Sequence, residues 1–468
     1  MVNTLHQQPV RGSKKRVFWI VFVIYQFLWH LIVPFVIFRL WLRGRLEPGY
    51  RQHILERFGF YSPFSDFKSD IWVHAVSMGE TRAAVPLIEQ LLASGKKVLL
   101  SHMTASGRST SEQIFANAIA HGRLRQVYIP YDFCWPVMRF LRHFQPPKGL
   151  LIETELWPGL LVYAQKCGVP MYLINGRLSE KSFKKFIKWG SVSQSMCQML
   201  SGVAAQTESD AKNFTALGIE NILITGNLKF DVNLSNELIL KGETWKKMRW
   251  PDRQVIMAAS TREGEEKIII QAIKALNFSP KPLLLLVPRH LKRLPEIEDY
   301  IQQQNLRIMK RSEFTEQNTE QNTEQNTEQN TEQESLITNI DILIGDTFGE
   351  MAAYYASCDL VVMGGTLQGT GGQNLIEPCA LGKPVILGPS TFNFSLVSQN
   401  AIECGAAVAL KNSSDQSNQN QLTMTLVKEL EDLLSQPKKM QEMGERGFAF
   451  THHHQGATRK TLKFLEAN

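Results

Sequence analysis

The sequence predicts an α/β protein with two doubly wound, Rossmann-like domains and an N-terminal membrane-anchor helix. Three observations support this prediction. The chain has 468 residues, more than one ordinary hydrophobic core accommodates. From Asp70 onward, short apolar segments alternate with helical patterns, which is typical of βαβ units and a parallel sheet. An apolar run without charged residues lies close to the N-terminus.

The apolar run extends from Val17 to Phe38 and contains no Asp, Glu, Lys or Arg. At 1.5 Å per residue it is long enough to cross a hydrocarbon layer of about 30 Å. No small-residue cleavage site follows, which argues against a removable signal peptide. Basic residues flank both ends of the run, so their distribution does not define which end of the helix faces the cytoplasm. Gln26, His30 and Pro34 interrupt the run, and a half-inserted anchor or a buried core helix stay open as alternatives.

The predicted strands fall into two sets. A lysine-rich passage, Lys241–Trp250, separates them and is interpreted as a linker closed by Pro251. We expect a cleft between the domains, with ligands beyond the carboxyl ends of the strands. The first set is Ile71–Val76, Lys97–Ser101, Val127–Ile129, Gly149–Ile152, Met171–Ile174 and Gly202–Ala205; the second is Val255–Ala259, Pro282–Val287, Leu306–Met309, Leu360–Met363, Pro384–Leu387 and Ala407–Leu410.

These features define the predicted domain boundaries. Residues 1–16 form a basic tail, 17–42 the membrane anchor, 43–240 the first domain and 241–450 the second. Within the second domain, residues 315–334 consist of TEQN repeats without an apolar residue. Such a segment cannot bury enough surface to offset the entropy of ordering, so it is predicted to be a disordered acidic loop.

Composition narrows the classes of partner. The formal charge of +7 and the isoelectric point near 9.0 favour an anionic partner, which means nucleic acid, a membrane surface or a phosphorylated substrate. No nucleic-acid-binding motif is present, so we expect no nucleic-acid partner. The six cysteines have no CxxC spacing and indicate small buried side chains in a reducing compartment. The consecutive histidines 452–454 cannot share a helix face and are rejected as a zinc site.

A glycine-rich segment in the second domain indicates a nucleotide-sugar site. The strand Leu360–Met363 runs into a loop with five glycines between positions 364 and 372. A helix is predicted to start around Asn374 and to carry Glu377. Glycines let the backbone approach a phosphate closely, the first turn of a helix favours an anion, and a carboxylate can accept both hydroxyls of a ribose.

Several charged residues follow predicted strands. Glu80 lies at a predicted helix N-terminus, where the helix dipole favours the ionised carboxylate and keeps it ready to accept a proton; an ordinary first-turn glutamate is the alternative. Glu153 and Glu155 follow another strand and form either a functional pair or a helix-capping pair. Lys229 either neutralises the charge of a leaving phosphate or is a surface lysine.

Two more strand ends in the second domain suggest phosphate contacts. Ser260 or Thr261 is predicted to cap a helix whose free N–H groups meet a phosphate. Arg289, fixed after Pro288 at the end of a strand, is a candidate contact to a phosphate or a base.

The motifs together closely resemble those of the 3-deoxy-D-manno-octulosonic acid (Kdo) transferases of Gram-negative lipopolysaccharide assembly. The resemblance runs from the N-terminal anchor almost to the C-terminus, and the order of the motifs makes it specific. In chain order they are WVHAVSMGE, YIPYD, IETELWP, NGRLS, GNLKFD, STREGEE, LLLLVPRH, IGDTFGE, GGTLQGTGGQNLIEP and ILGPSTFNF.

The resemblance implies a GT-B fold, with the acceptor-binding domain first, the CMP-Kdo-binding domain second, and a C-terminal helix at residues 451–468 that crosses back. It also implies an inverting transfer of Kdo from CMP-Kdo to a lipid A precursor (lipid IVA) on the cytoplasmic side of the inner membrane. The TEQN insertion departs from the family pattern and is expected to loop outward.

By the same resemblance, Glu80 is the general base, and Glu153 and Lys229 stabilise the transition state. No metal or other cofactor is expected, because CMP leaves with a single phosphate that cationic side chains can stabilise. A transferase with another donor and an inactive nucleotide-binding scaffold are the alternatives. The residues implied to bind CMP are Pro288, Arg289, Phe348, Gly349, Glu350, Asn374, Leu375, Ile376 and Glu377.

Overall fold

The computed structural model describes residues 11–62, 67–313, 339–411 and 419–468. The chain divides into two compact units, Met1–Asp231 with His454–Asn468, and Val232–His453. The TEQN segment at residues 315–334 and residues 1–10 of the predicted tail lie outside the described residues. All six cysteines are free; Cys197, Cys358 and Cys379 are buried as predicted, whereas Cys167 and Cys404 are exposed.

The described part of the first unit contains a parallel sheet with the order β3-β2-β1-β4-β5-β6-β7. The order in which the chain adds strands to the sheet reverses between β1 and β4. Ligands of doubly wound folds bind at this reversal point. All six predicted strands are present. The strands are β1 (Ile71–His74), β2 (Val98–His102), β3 (Leu124–Tyr128), β4 (Gly149–Ile152), β5 (Met171–Gly176), β6 (Gly202–Ala205) and β7 (Ile222–Ile224).

Helices cover both faces of this sheet, so its central strands β1, β4 and β5 are buried throughout and mostly apolar. The helices are α1 (Arg11–Leu46), α2 (Met78–Ala93), α3 (Ala105–Ile114), α4 (Ala116–Ala120), α5 (Cys134–Phe144), α6 (Pro158–Lys166), α7 (Glu180–Lys188), α8 (Ser191–Cys197) and α9 (Glu208–Ala216), and short 3₁₀ turns lie at Pro48–Arg51, Ile54–Phe58 and Leu228–Phe230.

The predicted anchor is part of α1, which is long and apolar enough to cross a membrane by length and composition. α1 extends beyond the predicted anchor at both ends, from Arg11 to Leu46. It ends where it does because Pro48 disfavours helical backbone in the residue before it. Phe18 and Phe22 on α1 are buried in the core of the first unit.

The second unit has its own parallel sheet, with the order β10-β11-β9-β8-β12-β13-β14 in the described residues. Its reversal point lies between β8 and β12, the strand that leads into the glycine-rich loop. The strands are β8 (Val255–Thr261), β9 (Leu283–Pro288), β10 (Ile308–Lys310), β11 (Ile342–Ile344), β12 (Leu360–Met363), β13 (Val385–Leu387) and β14 (Ala407–Ala409).

The lysine-rich passage predicted as a linker is a helix of the second unit. Ser235 caps this helix by accepting a hydrogen bond from the backbone N–H of Leu238, and Trp245 and Trp250 are buried. The chain therefore passes from the first unit to the second between Asp231 and Val232. The helices are α10 (Asn236–Arg249), α11 (Glu265–Ala275), α12 (Leu294–Gln303), α13 (Met351–Ser357), α14 (Ile376–Ala380), α15 (Ser395–Glu403), α16 (Gln419–Leu434) and α17 (Pro437–His454), with 3₁₀ turns at Leu291–Arg293, Arg311–Glu313 and Phe392–Phe394.

The C-terminal segment returns to the first unit as α18 (Ala457–Glu466). Gly456, with φ at +96°, separates α17 from α18. The Asp231 carboxylate accepts hydrogen bonds from the backbone N–H groups of Gly456 and Thr458, 2.5 Å each. Phe464 and Leu465 are buried in the core of the first unit. The segment predicted as one C-terminal helix, residues 451–468, thus comprises the end of α17 and α18.

Candidate active site

Glu80 lies at the start of α2, directly beyond the carboxyl end of β1. Ser77 caps α2 by accepting a hydrogen bond from the backbone N–H of Glu80. The Glu80 carboxylate in turn accepts hydrogen bonds from the Val76 backbone N–H (2.7 Å) and the Ser77 hydroxyl (3.0 Å). This reciprocal arrangement resembles a capping box, with the Val76 N–H in place of the Ser77 N–H, and it fixes the side chain at the reversal point of the sheet.

The electrostatic environment of Glu80 differs from the one predicted. Burial raises its pKa to about 7; hydrogen bonds from Val76 and Ser77 oppose the increase, and the charges of Glu155 and Glu153 add to it. The helix dipole was expected to favour the ionised carboxylate, but desolvation outweighs it. Glu80 therefore has a pKa close to neutral pH, which is the range that suits a general base.

Glu153 and Lys229 form an ion pair beside Glu80. Glu153 follows β4 with φ at +63°, in the left-handed region, and its Oε1 lies 2.8 Å from Lys229 Nζ. Lys229 belongs to the 3₁₀ turn after β7, which packs against α2. Asn175 at the end of β5 holds this turn, because its Oδ1 accepts a hydrogen bond from the Leu228 backbone N–H, 3.0 Å.

The hypothesis that Glu153 and Glu155 cap a helix is wrong. Glu153 pairs with Lys229, and Glu155 accepts a hydrogen bond from the indole N–H of Trp157, 2.7 Å. Burial raises the pKa of Glu155, the Trp157 hydrogen bond opposes this, and the charge of Glu153 adds to it. Both carboxylates thus contribute to the negative potential around Glu80.

The glycine-rich loop of the second unit is organised around Glu265. Its carboxylate is fully buried and accepts hydrogen bonds from the backbone N–H groups of Gly365 (2.7 Å), Leu367 (2.8 Å) and Arg262 (2.8 Å). Burial raises the pKa of Glu265, although these hydrogen bonds oppose the increase. A protein carboxylate thus occupies part of the loop that was predicted to meet a phosphate.

The predicted capping role of Ser260 and Thr261 is wrong. β8 continues through Thr261, and α11 begins only at Glu265, after Gly264 with φ at +86°. The backbone of Gly364 lies so close to β8 that a Cβ atom there would be 2.4 Å from the Ser260 carbonyl oxygen. This close approach explains the glycine at that position.

The residues after β11 combine a partly buried cluster of charged side chains with an exposed aromatic ring. Glu350 lies 3.0 Å from Arg311 and 3.1 Å from Lys241. Burial acts to raise the pKa of Glu350, but hydrogen bonds from Thr347 and Lys241 and the charge of Arg311 outweigh it and keep the pKa below its ordinary value. Phe348 is 87% exposed. The Glu350 carboxylate is therefore held within the unit, while the Phe348 ring is open to a ligand.

The segment after the glycine-rich loop differs in detail from the prediction. α14 begins at Ile376 rather than near Asn374 and has five residues. Asn374 accepts a hydrogen bond from the Ile376 backbone N–H (3.1 Å) and donates one to Glu377 (3.2 Å). Leu375 and Ile376 are fully buried, backbone included, so neither presents surface to a ligand in this conformation.

Arg289 and Glu377 lie on opposite sides of the reversal point of the second sheet, one after β9 and the other after β12. Both residues are close enough to Tyr355 to affect its pKa. Burial raises the pKa of Tyr355 well above its ordinary value. The charge of Glu377 adds to this increase, and the charge of Arg289 opposes it. Pro288 is the buried last residue of β9. These residues therefore converge on one edge of the second unit.

The structure thus brings the sequence-predicted residues together within each unit. Glu80, Glu153 and Lys229 meet at the edge of the first sheet. The sequence did not indicate the supporting roles of Glu265, Lys241 and Arg311, because each acts through contacts with residues far away in the chain. For Asn175 a weak signal exists, namely an Asn-Gly pair after a strand, which is typical of a left-handed turn.

Comparison with known proteins identifies the family. Over 446 residues, which are 93% of this chain and 96% of the relative, the sequence is 39% identical to the 3-deoxy-D-manno-octulosonic acid transferase of Bordetella pertussis. The chain belongs to the Kdo transferase family. The corresponding Haemophilus influenzae transferase is 30% identical over 92% of this chain and 95% of its own length, and residues 52–232 match the profile of the 3-Deoxy-D-manno-octulosonic-acid transferase (kdotransferase) family.

The fold of this Kdo transferase family member has parallels among solved structures. The UDP-GlcNAc 2-epimerase of Neisseria meningitidis, bound to UDP-GlcNAc, aligns with 85% of this chain and 100% of its own, with a TM-score of 0.51 and 15% sequence identity. At that identity the likeness concerns the fold alone. The predicted GT-B class, with two Rossmann-like parallel-sheet units and an N-terminal apolar helix, is confirmed.

Proposed function

We propose that this Kdo transferase family member moves Kdo from CMP-Kdo to a hydroxyl group of a lipid A precursor, lipid IVA, with inversion at the anomeric carbon and release of CMP. The observation that supports this most directly is Glu80. It is a carboxylate fixed at the reversal point of the first sheet, with a pKa of about 7. Such a group can take a proton from an acceptor hydroxyl at neutral pH.

The proposed reaction is a single displacement. The acceptor oxygen forms a bond to the anomeric carbon of Kdo, and the bond from that carbon to the CMP phosphate oxygen breaks. The acceptor proton passes to Glu80, and the bonding electrons leave with CMP. Because the anomeric carbon is fully substituted and bears a carboxylate, the transition state has oxocarbenium character, which the negative charge of Glu153 would stabilise.

In the proposed reaction, cationic side chains stabilise the leaving phosphate in place of a metal ion. Lys229, positioned by its 2.8 Å contact with Glu153, and Arg289 would stabilise the leaving phosphate. CMP carries one phosphate, so two cationic groups match the charge of the phosphate. We therefore propose that the reaction needs no metal, and that activity persists after treatment with EDTA.

The second unit would hold the donor. The exposed Phe348 ring is suited to stacking on a base, and the backbone of Gly349, with φ at +83°, allows close approach. Glu377, oriented by its hydrogen bond from Asn374, is suited to accept ribose hydroxyls. Pro288, Glu350, Leu375 and Ile376 would complete the CMP site.

The proposed location is the cytoplasmic side of the inner membrane, where α1 would serve as the anchor. An acylated, phosphorylated acceptor lies in that membrane, and the basic balance of the chain suits an anionic surface.

The decisive experiment uses purified protein in detergent, CMP-Kdo generated in situ and a tetra-acylated lipid A precursor, with the products resolved by mass. A gain of one or more Kdo units supports the proposal and gives the number transferred. Competition by CMP but not by UMP or UDP identifies the nucleotide of the donor. No mass gain, with CMP still bound, would refute the proposed acceptor.

A further inference from the structure

α1 is attached to the first unit along most of its length. Near its start, Phe18 and Phe22 are buried, and the Phe22 ring lies 6.0 Å from that of Tyr163 on α6. Near its end, Leu40 is buried in a cluster with Tyr50. At 1.5 Å per residue, the contacts from Phe18 to Leu40 extend over about 33 Å. That length matches the hydrocarbon thickness of a bilayer, about 30 Å.

The middle of α1 is held by a buried carboxylate, Asp132. The Tyr25 hydroxyl donates a hydrogen bond to Asp132 Oδ2 (2.8 Å), and the Gln26 amide donates one to the Asp132 backbone oxygen (3.3 Å). Gln26 also accepts a hydrogen bond from the Cys134 backbone N–H, 2.8 Å. Tyr25 and Gln26 in the middle of the apolar run thus bond to side-chain and backbone groups of the first unit outside α1.

Charged groups of the first unit also lie beside both ends of α1. Lys166 on α6 lies 5.6 Å from the centre of the Trp19 ring, and the Arg51 guanidinium donates a hydrogen bond to the Trp41 backbone oxygen, 3.3 Å. If α1 crossed a bilayer in this arrangement, the first unit would have to cross with it. The Asp132 carboxylate would then lie at the depth of the hydrocarbon, which is energetically unfavourable for an ionisable group.

The face of α1 that does not contact the first unit is a continuous apolar stripe. Its members recur at intervals of three or four residues, which places them on one side of the helix. Each is more than half exposed: Ile20, Val23, Phe27, Leu31, Phe35 and Phe38.

The helix that precedes α8 in the chain, α7, is basic. α8, on which α1 packs, directly follows α7. The lysines of α7, at positions 181, 184, 185 and 188, are all exposed. Ile187 and Trp189 are also more than half exposed. Lysine and tryptophan beside exposed apolar residues are typical of a protein surface at the headgroup level of anionic lipids.

We propose that α1 lies in the plane of the membrane, with its apolar stripe inserted into one leaflet of anionic lipid and the α7 lysines against the headgroups, and does not cross the bilayer. The N-terminus and both units then lie on the same side. The inference rests on the membrane location in the proposed function and is independent of the chemistry of the transfer.

The test of topology uses the full-length chain with Thr4→Cys, expressed in a Gram-negative host. Spheroplasts and inside-out vesicles are treated with a membrane-impermeant maleimide, and labelled peptides are identified by mass. The exposed Cys404 of the second unit serves as the internal reference. We expect both cysteines to be labelled in inside-out vesicles and neither in spheroplasts. Labelling of the two from opposite sides would overturn the proposal.

The test of orientation measures binding of the full-length protein to vesicles. Substitution of the four α7 lysines by Gln should weaken binding to phosphatidylglycerol vesicles at least tenfold. A control chain with Lys411, Lys428, Lys438 and Lys463 changed to Gln has the same charge and should bind like the unmodified chain. Equal binding by both variants would contradict the placement of α7. A transferase assay on the same preparations separates this result from a failure of the proposed reaction.

Discussion

The catalytic proposal depends most on Glu80, because this residue combines position with an unusual pKa. Glu80→Gln keeps the size and the hydrogen-bonding oxygen of the side chain but cannot accept a proton. We expect turnover to fall by about 10² to 10⁴-fold, which is the usual contribution of general base catalysis, while CMP binding is unchanged. Turnover of Kdo transfer and calorimetric binding of CMP are the two measurements.

The control for this variant is Glu89→Gln, an exposed glutamate on the same helix. It should retain full turnover. If the Glu80→Gln variant were as active as the Glu89→Gln control, another group would have to accept the proton.

The pH dependence of turnover follows from the same residue. Burial raises the pKa of Glu80 from 4.5 to about 7, and a general base is active only when it is deprotonated. Turnover should therefore rise roughly tenfold per pH unit below 7 and level off above it. A rate profile between pH 5.5 and 9 tests this expectation. A flat profile over that range would show that Glu80 titrates near its ordinary pKa or does not act as the base.

At the scale of single residues, the sequence predicts which side chains follow the strands. It does not predict their ion pairs or the pKa of Glu80. Glu80 and Glu153 were found because each follows an apolar strand, and Lys229 was found because it lies in the family motif GNLKFD. The ion pair between Glu153 and Lys229 joins residues 76 positions apart in the chain. The raised pKa of Glu80 depends on burial by several elements, so local patterns such as the helix dipole gave the wrong direction.

Among the structural elements, the glycine-rich loop depends on a carboxylate contributed by α11. Glu265→Gln replaces one carboxylate oxygen by an NH₂ group that faces backbone N–H donors of the loop. We expect a loss of stability on the order of 2 kcal/mol and weaker binding of CMP, because the loop backbone is no longer held. Thermal unfolding and CMP titration measure the two effects.

Glu263→Gln provides the control, since Glu263 is exposed and only two residues away. It should change neither quantity. Equal behaviour of the two variants would show that the loop keeps its conformation without the Glu265 carboxylate.

The elements themselves were predicted best where apolar runs are long. Strands such as β4, β6 and β12 have the same bounds that the sequence indicates. β7 and β11 were missed. Each has three residues, as do β10, β13 and β14, which were predicted, so short length alone does not explain the omission. α10 was misread as a linker because its surface is rich in lysine, and the partners of its buried Trp245 and Trp250 are distant in the chain.

At the scale of the whole molecule, the C-terminal helix α18 belongs to the same unit as the first half of the chain. The first unit is completed by α18, which the chain reaches only after the second unit has been built. The sequence alone does not indicate this return, because α18 reads as an ordinary amphipathic helix; only the family resemblance implied it. The stability of the first unit should therefore depend on residues at the far end of the chain.

Phe464→Ala tests that dependence. The Phe464 ring packs edge-on to Tyr172 with 6.1 Å between ring centres, and it fills the space left by Gly202, where a Cβ atom would be 2.7 Å from the ring. Removing a buried ring of this kind costs about 3 to 5 kcal/mol. We expect faster hydrogen exchange in β5 and β6 and a lower unfolding midpoint, whereas Lys463→Ala, at an exposed position on the same helix, should change neither. Unaltered exchange in the Phe464→Ala variant would mean that the first unit is stable without the packing of α18, and that the return of the chain serves another purpose.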